Sequence, residues 1–236
     1  MPQLVLSLFP GIGLLDMAFE AEGFCVVRGP DVLWGGDIRR FHPPAGKFDG
    51  VIGGPPCQSH STYANLNRAR GTNVRADLVP EFLRVIEECR PTWWLMENSP
   101  QVPTVNVGGY VNHAFDFNPQ WLGEEQDRKR KWQFGTETGI KIWPETAALL
   151  PPTREPVCMA SEGRSGRLTT VRVDGKPRTR HNPRRSPQRF CELQGLPGDF
   201  MDELPFTNEW KYRVVGNGVP LPMGRAIARA VKEATE

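Results

Sequence analysis

Gly53-Gly54-Pro55-Pro56-Cys57-Gln58 carries a single cysteine out of an apolar strand, Val51-Ile52, into a stiff turn. The two prolines fix successive φ angles and remove two amide donors, while the glycines let another backbone or a flat ligand come close. A free cysteine is more often a small buried hydrophobe than a reagent. Cys57 gains weight as a nucleophile from this presentation and from the residues around it.

A second group of residues suits a nucleotide-like ligand. Phe9-Pro10-Gly11-Ile12-Gly13-Leu14 follows an apolar run and leads into a helix, and its glycines allow backbone amides to approach a ligand at the carboxyl edge of a sheet. Asp31 comes twenty residues after Gly11, where an α/β nucleotide site places an acid to grip ribose hydroxyls. A turn residue after Pro30 is the plainer account of it. Asp37 could accept a hydrogen bond from an adenine amino group or cap a loop. The three elements together point to an adenosine-bearing ligand.

These residues need a parallel sheet to hold them, and the first hundred residues alternate accordingly. Leu4 to Leu8 is an apolar run, Leu14 to Ala21 has helical spacing, residues 25–27 form a short strand, and Val51-Ile52 follows. Leu78, Phe82, Val85, Ile86 and Cys89 recur at helical intervals, and Pro91 ends that helix before a strand at residues 93–96. Such alternation predicts a mostly parallel α/β sheet. From residue 134 to 183 the texture turns to Pro, Gly, Thr and Arg, with Val171-Arg172-Val173-Asp174-Gly175-Lys176 reading as a hairpin. The expected organisation is a catalytic and cofactor-binding domain at 1–133, a small inserted lobe at 134–183, and a segment at 184–236 that returns to the first domain. A helix restarts within residues 187–193, and residues 219–231 read as a closing helix.

The chain has 236 residues, room for one large domain with a small lobe. Its five cysteines are widely spaced without a CxxC pair, and its four histidines lack metal-ligand spacing, so a reducing compartment and no metal are expected. No apolar run suits a membrane span and no signal peptide is read at the start, so a cytoplasmic protein is expected. Net charge is only +2, but residues 164–189 hold nine Lys or Arg against one acid, Asp174. Arg128-Lys129-Arg130-Lys131 is a second basic knot. One cluster is as readily solvated surface as a polyanion site; two flanking one segment favour nucleic acid.

Phe9-Pro10-Gly11-Ile12-Gly13, Gly54-Pro55-Pro56-Cys57-Gln58, Glu97-Asn98, Gln126-x-Arg128-x-Arg130 and Gly216-Asn217-Gly218-Val219 occur in fixed order. Together they resemble the DNA cytosine-5 methyltransferases of bacterial or phage type, over residues 4–228 without the 134–183 lobe. The resemblance implies a Rossmann-like fold dependent on S-adenosylmethionine, with S-adenosylhomocysteine as product. It implies Cys57 as the thiolate that adds to C6 of a flipped cytosine and Glu97 as the acid at N3, although strand-end solvation would also account for Glu97. Arg130 would hold the cytosine carbonyl oxygen and Arg128 would orient the glutamate and nearby backbone. Phe9, Gly11 and Gly13 would serve the methionine side of the donor, Asp31 the ribose and Asp37 the adenine. Pro56 would lie near the sulfonium, Leu78 would touch the cofactor and Asn217 would close the pocket. Trp34 is a further candidate for stacking on adenine, and Leu78 suits an apolar core equally well.

Residues 60–75 would form a lid over DNA, with Gln58, Ser59, Arg68 and Arg70 as contacts, or an ordinary surface loop. The 134–183 lobe occupies the place of the family's target-recognition region, where Arg172, Lys176, Arg178 and Arg180 would meet the duplex. Double-stranded DNA is therefore the expected partner, with a monomeric enzyme in a bacterial host or phage, and a restriction-modification setting. The pattern departs from the family in places. Only four residues separate Asp31 from Gly36-Asp37, which predicts a shallower adenosine pocket. Ser99 stands where valine is commoner, Glu124-Glu125 precede Gln126, and Gly218 replaces a serine. The alternatives are a DNA-binding homologue that lost turnover, the same chemistry on tRNA, and a modified S-adenosylmethionine as donor.

Overall fold

A computed structural model describes residues 1–56, 76–147, 153–173 and 176–236, with the backbone alone for residues 165, 167–173 and 176–181. In chain order the elements begin with β1 (Leu4–Leu8), α1 (Leu14–Ala21), β2 (Cys25–Arg28), β3 (Gly50–Gly53), α2 (Val79–Cys89) and β4 (Trp93–Asn98), then β5 (Val111–Phe117), the two-residue β6 (Gln126–Asp127) and β7 (Arg130–Thr136). After these come β8 (Glu155–Pro156), the single turn α3 (Glu162–Ser165), β9 (Arg167–Val173), β10 (Lys176–Asn182), α4 (Pro187–Glu192), α5 (Asn208–Asn217) and α6 (Leu221–Thr235).

Six strands form one sheet in the order β2-β1-β3-β4-β7-β5. It is mostly parallel, as the alternating texture predicts: β1 pairs in parallel with β2 and β3, and β3 with β4, while β7 joins β4 and β5 antiparallel. Because strand side chains alternate between faces, Val5, Trp93 and Leu95 join Phe19 of α1 and Ile227 of α6 in one buried cluster. Leu6, Val51, Trp94 and Met96 join Phe82 and Ile86 of α2 in another. A third cluster gathers Leu14, Cys158, Phe190, Tyr212 and Val215 in front of α1.

Local chemistry sets the helix ends. The Asp77 carboxylate accepts the Val79 amide at 3.0 Å and Pro80 occupies the first turn of α2. Arg90 closes that helix in a left-handed conformation at φ 51°. The closing helix returns to the sheet as expected: Gln3 Nε2 donates to the Thr235 carbonyl at 3.2 Å and to its Oγ1 at 2.9 Å.

Two tryptophans fix how β4 sits between its neighbours. Trp93 pairs with Gly50 of β3, and a Cβ on that glycine would lie 2.2 Å from the indole. Trp94 pairs with Gly135 of β7, where a Cβ would lie 2.3 Å from Nε1. The sheet also runs past the boundary expected at residue 133. β7 continues to Thr136, and Phe134 and Ile142 are buried in the α1–α6 cluster. Phe134 alternates with Trp132 on one face, so the basic knot at 128–131 is partly the start of a core strand.

Candidate active site

β3 and β4 are paired from Gly50↔Trp93 to Gly53↔Met96, so Gly54, the first residue beyond β3, lies level with Glu97, which is still paired with Trp132 of β7 at the carboxyl edge of the sheet. The Glu97 carboxylate lies over Gly54, where an added Cβ would be 3.2 Å from Oε2. Buried Asn98 donates from Nδ2 to the Pro55 carbonyl at 3.1 Å and accepts the Ser99 amide at 2.9 Å. These bonds hold the Gly53-Gly54-Pro55-Pro56 turn against β4. Pro56 is half-buried at its end. Cys57, Gln58, Ser59, Arg68, Arg70 and the lid expected at 60–75 lie outside the described residues.

Among the described cysteines, burial raises the Cys89 thiol to about 11 and the Cys158 thiol to about 12, and raises Cys191 as well. A thiol needs its proton removed to attack, so these three serve as packing. Cys25 is exposed on β2, at the far edge of the sheet from Glu97.

β7 brings the cation. Arg130 Nε lies 3.0 Å from Glu97 Oε1, with the two side chains 21% and 14% exposed, and its Nη1 donates to the Lys129 carbonyl at 2.8 Å. The orienting of Glu97 expected of Arg128 therefore falls to Arg130. Arg128 is buried between β6 and β7 and turns toward the carboxyl-terminal segment. There it donates to the carbonyls of Cys158 (3.2 Å), Asn217 (3.4 Å) and Gly218 (3.1 Å).

Two buried glutamines extend that knot. Gln126 Oε1 accepts the Cys158 amide at 3.1 Å, and its Nε2 donates to the Leu193 carbonyl at 2.5 Å and to Gln194 Oε1 at 2.9 Å. Gln194 Nε2 then donates to the Val215 carbonyl at 2.6 Å. Gln194 was not among the expected residues, although an amide inside the apolar run Leu193-Gln194-Gly195-Leu196 is a signal in itself: a buried polar group needs partners. Gly218 is required by packing, because a Cβ there would meet Leu14 Cδ1 at 2.5 Å. This accounts for glycine where serine is commoner.

On the other half of the sheet, the loop between β1 and α1 is left-handed at Phe9 (φ 57°), Gly11 (φ 58°) and Gly13 (φ 84°). A Cβ on Gly11 would meet nothing within 4 Å, so the loop faces open space there. At Gly13 the Arg28 guanidinium takes that place, 2.4 Å from an ideal Cβ, and its Nε is 2.9 Å from the buried Asp16 carboxylate. Ser7 Oγ donates to Asp16 at 2.5 Å. Burial nevertheless raises the Asp16 pKa, opposed by the Ser7 bond and the Arg28 charge.

The acids expected to hold adenosine are engaged within the protein. Asp31 Oδ2 accepts the Gly11 amide at 2.8 Å and Oδ1 accepts the Leu33 amide at 2.7 Å, capping a 3-10 turn at Val32–Trp34. Asp37 caps the next turn, Ile38–Arg40, and both its oxygens meet Arg39 at 2.9 Å; those bonds hold its carboxyl below the usual range. A single 3-10 turn, Val32–Trp34, thus lies within the four residues between Asp31 and Gly36. Trp34 donates from Nε1 to the Gly11 carbonyl at 2.7 Å. Leu78 precedes α2 and packs against the α2 core cluster, as an apolar core position would. Asn217, exposed, ends α5.

The hairpin read from Asp174-Gly175 exists as β9 and β10, with those two residues outside the described set. Lys176, Arg178 and Arg180 occupy alternate positions of β10, and Arg172 pairs with Pro177. Among the described residues, no group of three or more His, Cys, Asp or Glu could hold a metal, and no helix is long and apolar enough to cross a membrane.

The mostly parallel sheet is consistent with the Rossmann-like fold of S-adenosylmethionine-dependent methyltransferases. Residues 34–117 match the family model for C-5 cytosine-specific DNA methylase. The type II methyltransferase M.FnuDI of Fusobacterium nucleatum is 36% identical over 173 residues, covering 58% of this chain and 48% of that protein. M.NgoPII of Neisseria gonorrhoeae is 28% identical over 173 residues, covering 60% and 50%. The chain spans about half the length of these curated relatives. The solved structure of the Entamoeba histolytica methyltransferase EhMeth superposes with a TM-score of 0.70 at 12% identity, covering 100% of this chain and 99% of that one, a likeness of fold. The family model and these relatives liken the chain to the DNA cytosine-5 methyltransferases.

Proposed function

We propose that the chain methylates C5 of a cytosine in double-stranded DNA, using S-adenosylmethionine and releasing S-adenosylhomocysteine. The observation that supports this most is the meeting of two strand ends. The Glu97–Arg130 pair lies beside Gly54, and Asn98 ties Pro55 to β4, so the turn that precedes Cys57 in sequence is held beside an acid already paired with a cation.

C5 of cytosine is a weak nucleophile. Addition of the Cys57 thiolate to C6 forms a C–S bond and moves the displaced electron pair toward N3, where Glu97 holds or delivers a proton. Arg130 keeps Glu97 oriented, and its charge favours the thiolate. Once C5 is alkylated, its proton leaves to a base and the Cys57 thiolate is expelled, restoring the aromatic ring. S-adenosylmethionine, when bound, supplies the electrophilic methyl group.

The described residues fit that donor. Gly11 faces open space where the loop enters α1, and free amides at a helix N-terminus suit the donor's carboxylate. Phe9, Gly11, Gly13, Asp31, Asp37, Pro56, Leu78 and Asn217 would hold it, with Asp31 and Asp37 sharing carboxylates already bonded to backbone. The target base must leave the duplex to reach a thiol, at a cost of a few kcal/mol. Gln58, Ser59, Arg68, Arg70 and the hairpin cations Arg172, Lys176, Arg178 and Arg180 would contact DNA, mainly its phosphates, so affinity should fall steeply with salt.

Duplex DNA containing 5-fluorocytosine is expected to form a denaturation-resistant complex with the protein and S-adenosylmethionine, and Cys57→Ser none. Wild-type methylation by Cys57→Ser would overturn the mechanism. Faster methylation of tRNA than of DNA in parallel assays would replace the polymer. A product base heavier than 5-methylcytosine would replace the donor. Absence of donor binding in calorimetry would leave a DNA-binding homologue.

A further inference from the structure

We propose that Trp34 is a positioning residue of the donor site, which fixes the shape of residues 9–13 by holding the Gly11 carbonyl. The inference rests on the methyl-donor reading above. Three of those five residues are left-handed, and Phe9, at φ 57°, carries a Cβ. A side-chain-bearing residue stays in that region only where its surroundings over-determine it.

The over-determination comes from one turn. Both backbone groups of Gly11 are taken by it: the amide by Asp31 Oδ2 at 2.8 Å and the carbonyl by the Trp34 indole N–H at 2.7 Å. The turn is stiff in its own right, since the Trp34 amide donates to the Asp31 carbonyl at 3.0 Å and the Gly36 amide to the same oxygen at 2.9 Å. Asp31 at its head and Trp34 at its end therefore grip Gly11 on its two sides. The indole does this while 58% exposed, a costly place for a large ring, with Phe206 alongside at 5.8 Å between centroids.

The gripped loop ends at the N-terminus of α1, where free amides favour an anion. The donor's anion is its amino-acid carboxylate. Loop shape should thus govern affinity for the amino-acid half of the donor and leave its nucleoside half unaffected.

Trp34→Phe keeps a ring beside Phe206 and removes the N–H. By calorimetry its affinity for S-adenosylhomocysteine should fall about tenfold, as expected for one lost hydrogen bond. Affinity for 5′-methylthioadenosine, which lacks the amino-acid carboxylate, should be unchanged. KM for S-adenosylmethionine should rise with kcat at saturation held, and Phe206→Leu, which spares the N–H, should bind both ligands like wild type. Equal losses for both ligands would make Trp34 a direct stacking contact and overturn the proposal, as would an unchanged S-adenosylhomocysteine affinity. Wild-type protein that binds neither ligand would instead remove the donor reading, and this inference with it.

Discussion

On the parallel half of the sheet the groups proposed to face the donor sit on short loops, held by single bonds such as those between Gly11 and the side chains of Asp31 and Trp34. On the antiparallel half Arg130 stands at the start of a strand, and behind it Gln126, Arg128 and Gln194 are sunk among backbone carbonyls from three separate segments. The first arrangement leaves carboxylates and amides near solvent, where a ligand can compete for them. The second hides its polar groups and makes them part of the fold. Change on the proposed donor side should therefore register in binding, and change on the other side in stability, except at the Glu97–Arg130 pair, which is proposed to meet substrate.

Glu97→Gln is that exception and should have the largest effect, lowering turnover about 10²- to 10⁴-fold. Urea unfolding should move by no more than about 1 kcal/mol, since Arg130 keeps its bond to the Lys129 carbonyl. A large loss of stability would show that the pair is structural and break the division.

Arg128→Met removes one donor from each of the carbonyls of Cys158, Asn217 and Gly218, the last of which keeps a 3.4 Å bond from Gln194. It should cost about 3 kcal/mol of unfolding free energy. A variant as stable as wild type but inactive would move Arg128 from the scaffold to the chemistry.

Gly218→Ser introduces the atom that would lie 2.5 Å from Leu14 Cδ1 and should destabilise by about 1–2 kcal/mol, with partial recovery when combined with Leu14→Ala. Additive losses in the double-mutant cycle would place the strain elsewhere.

The smallest effect is expected at Asp127. Burial pushes its pKa up, but hydrogen bonds from Arg154 and Asn118 outweigh it and hold the group below the ordinary 3.8. A lowered carboxylate stabilises the fold above its unfolded pKa and loses that contribution as pH falls through the folded value. Asp127→Asn should thus flatten the acid limb of the stability curve below about pH 4, by less than about 1 kcal/mol because Arg154 is exposed. An unchanged acid limb would exclude the pair.

The parallel half was the more legible in sequence. Its strands are apolar runs and α2 buries Val79, Phe82, Val85, Ile86 and Cys89 at the intervals that periodicity predicts. β5 and β7 were not read as strands, for different reasons. β5, Val-Asn-His-Ala-Phe-Asp-Phe, is an edge strand with mixed polarity. β7 opens on two cations, and its buried Gln133 interrupts the apolar signal. That amide accepts the Val105 amide at 2.8 Å and donates to the Pro103 carbonyl at 3.1 Å, a need created by tertiary contact. α5 was missed because its polar residues outnumber the face that carries Tyr212, Val214 and Val215. In the candidate site, the family resemblance singled out Glu97 and Arg130, which the fold pairs, but the partners of Arg128 depend on residues thirty to ninety positions away.

The seating of Trp93 on Gly50 and of Trp94 on Gly135 bears on how sharply Glu97, the proposed acid, can be aimed. Each ring fills a notch that exists at one glycine in the adjoining strand, and the two notches open on opposite layers. A shift of β4 by one residue would drive both rings into side chains at once and exchange the residues facing the two buried layers. The strand is keyed on both sides like a bolt in a lock, and the height of Glu97 above the cysteine-bearing turn is set a full strand length away from the chemistry.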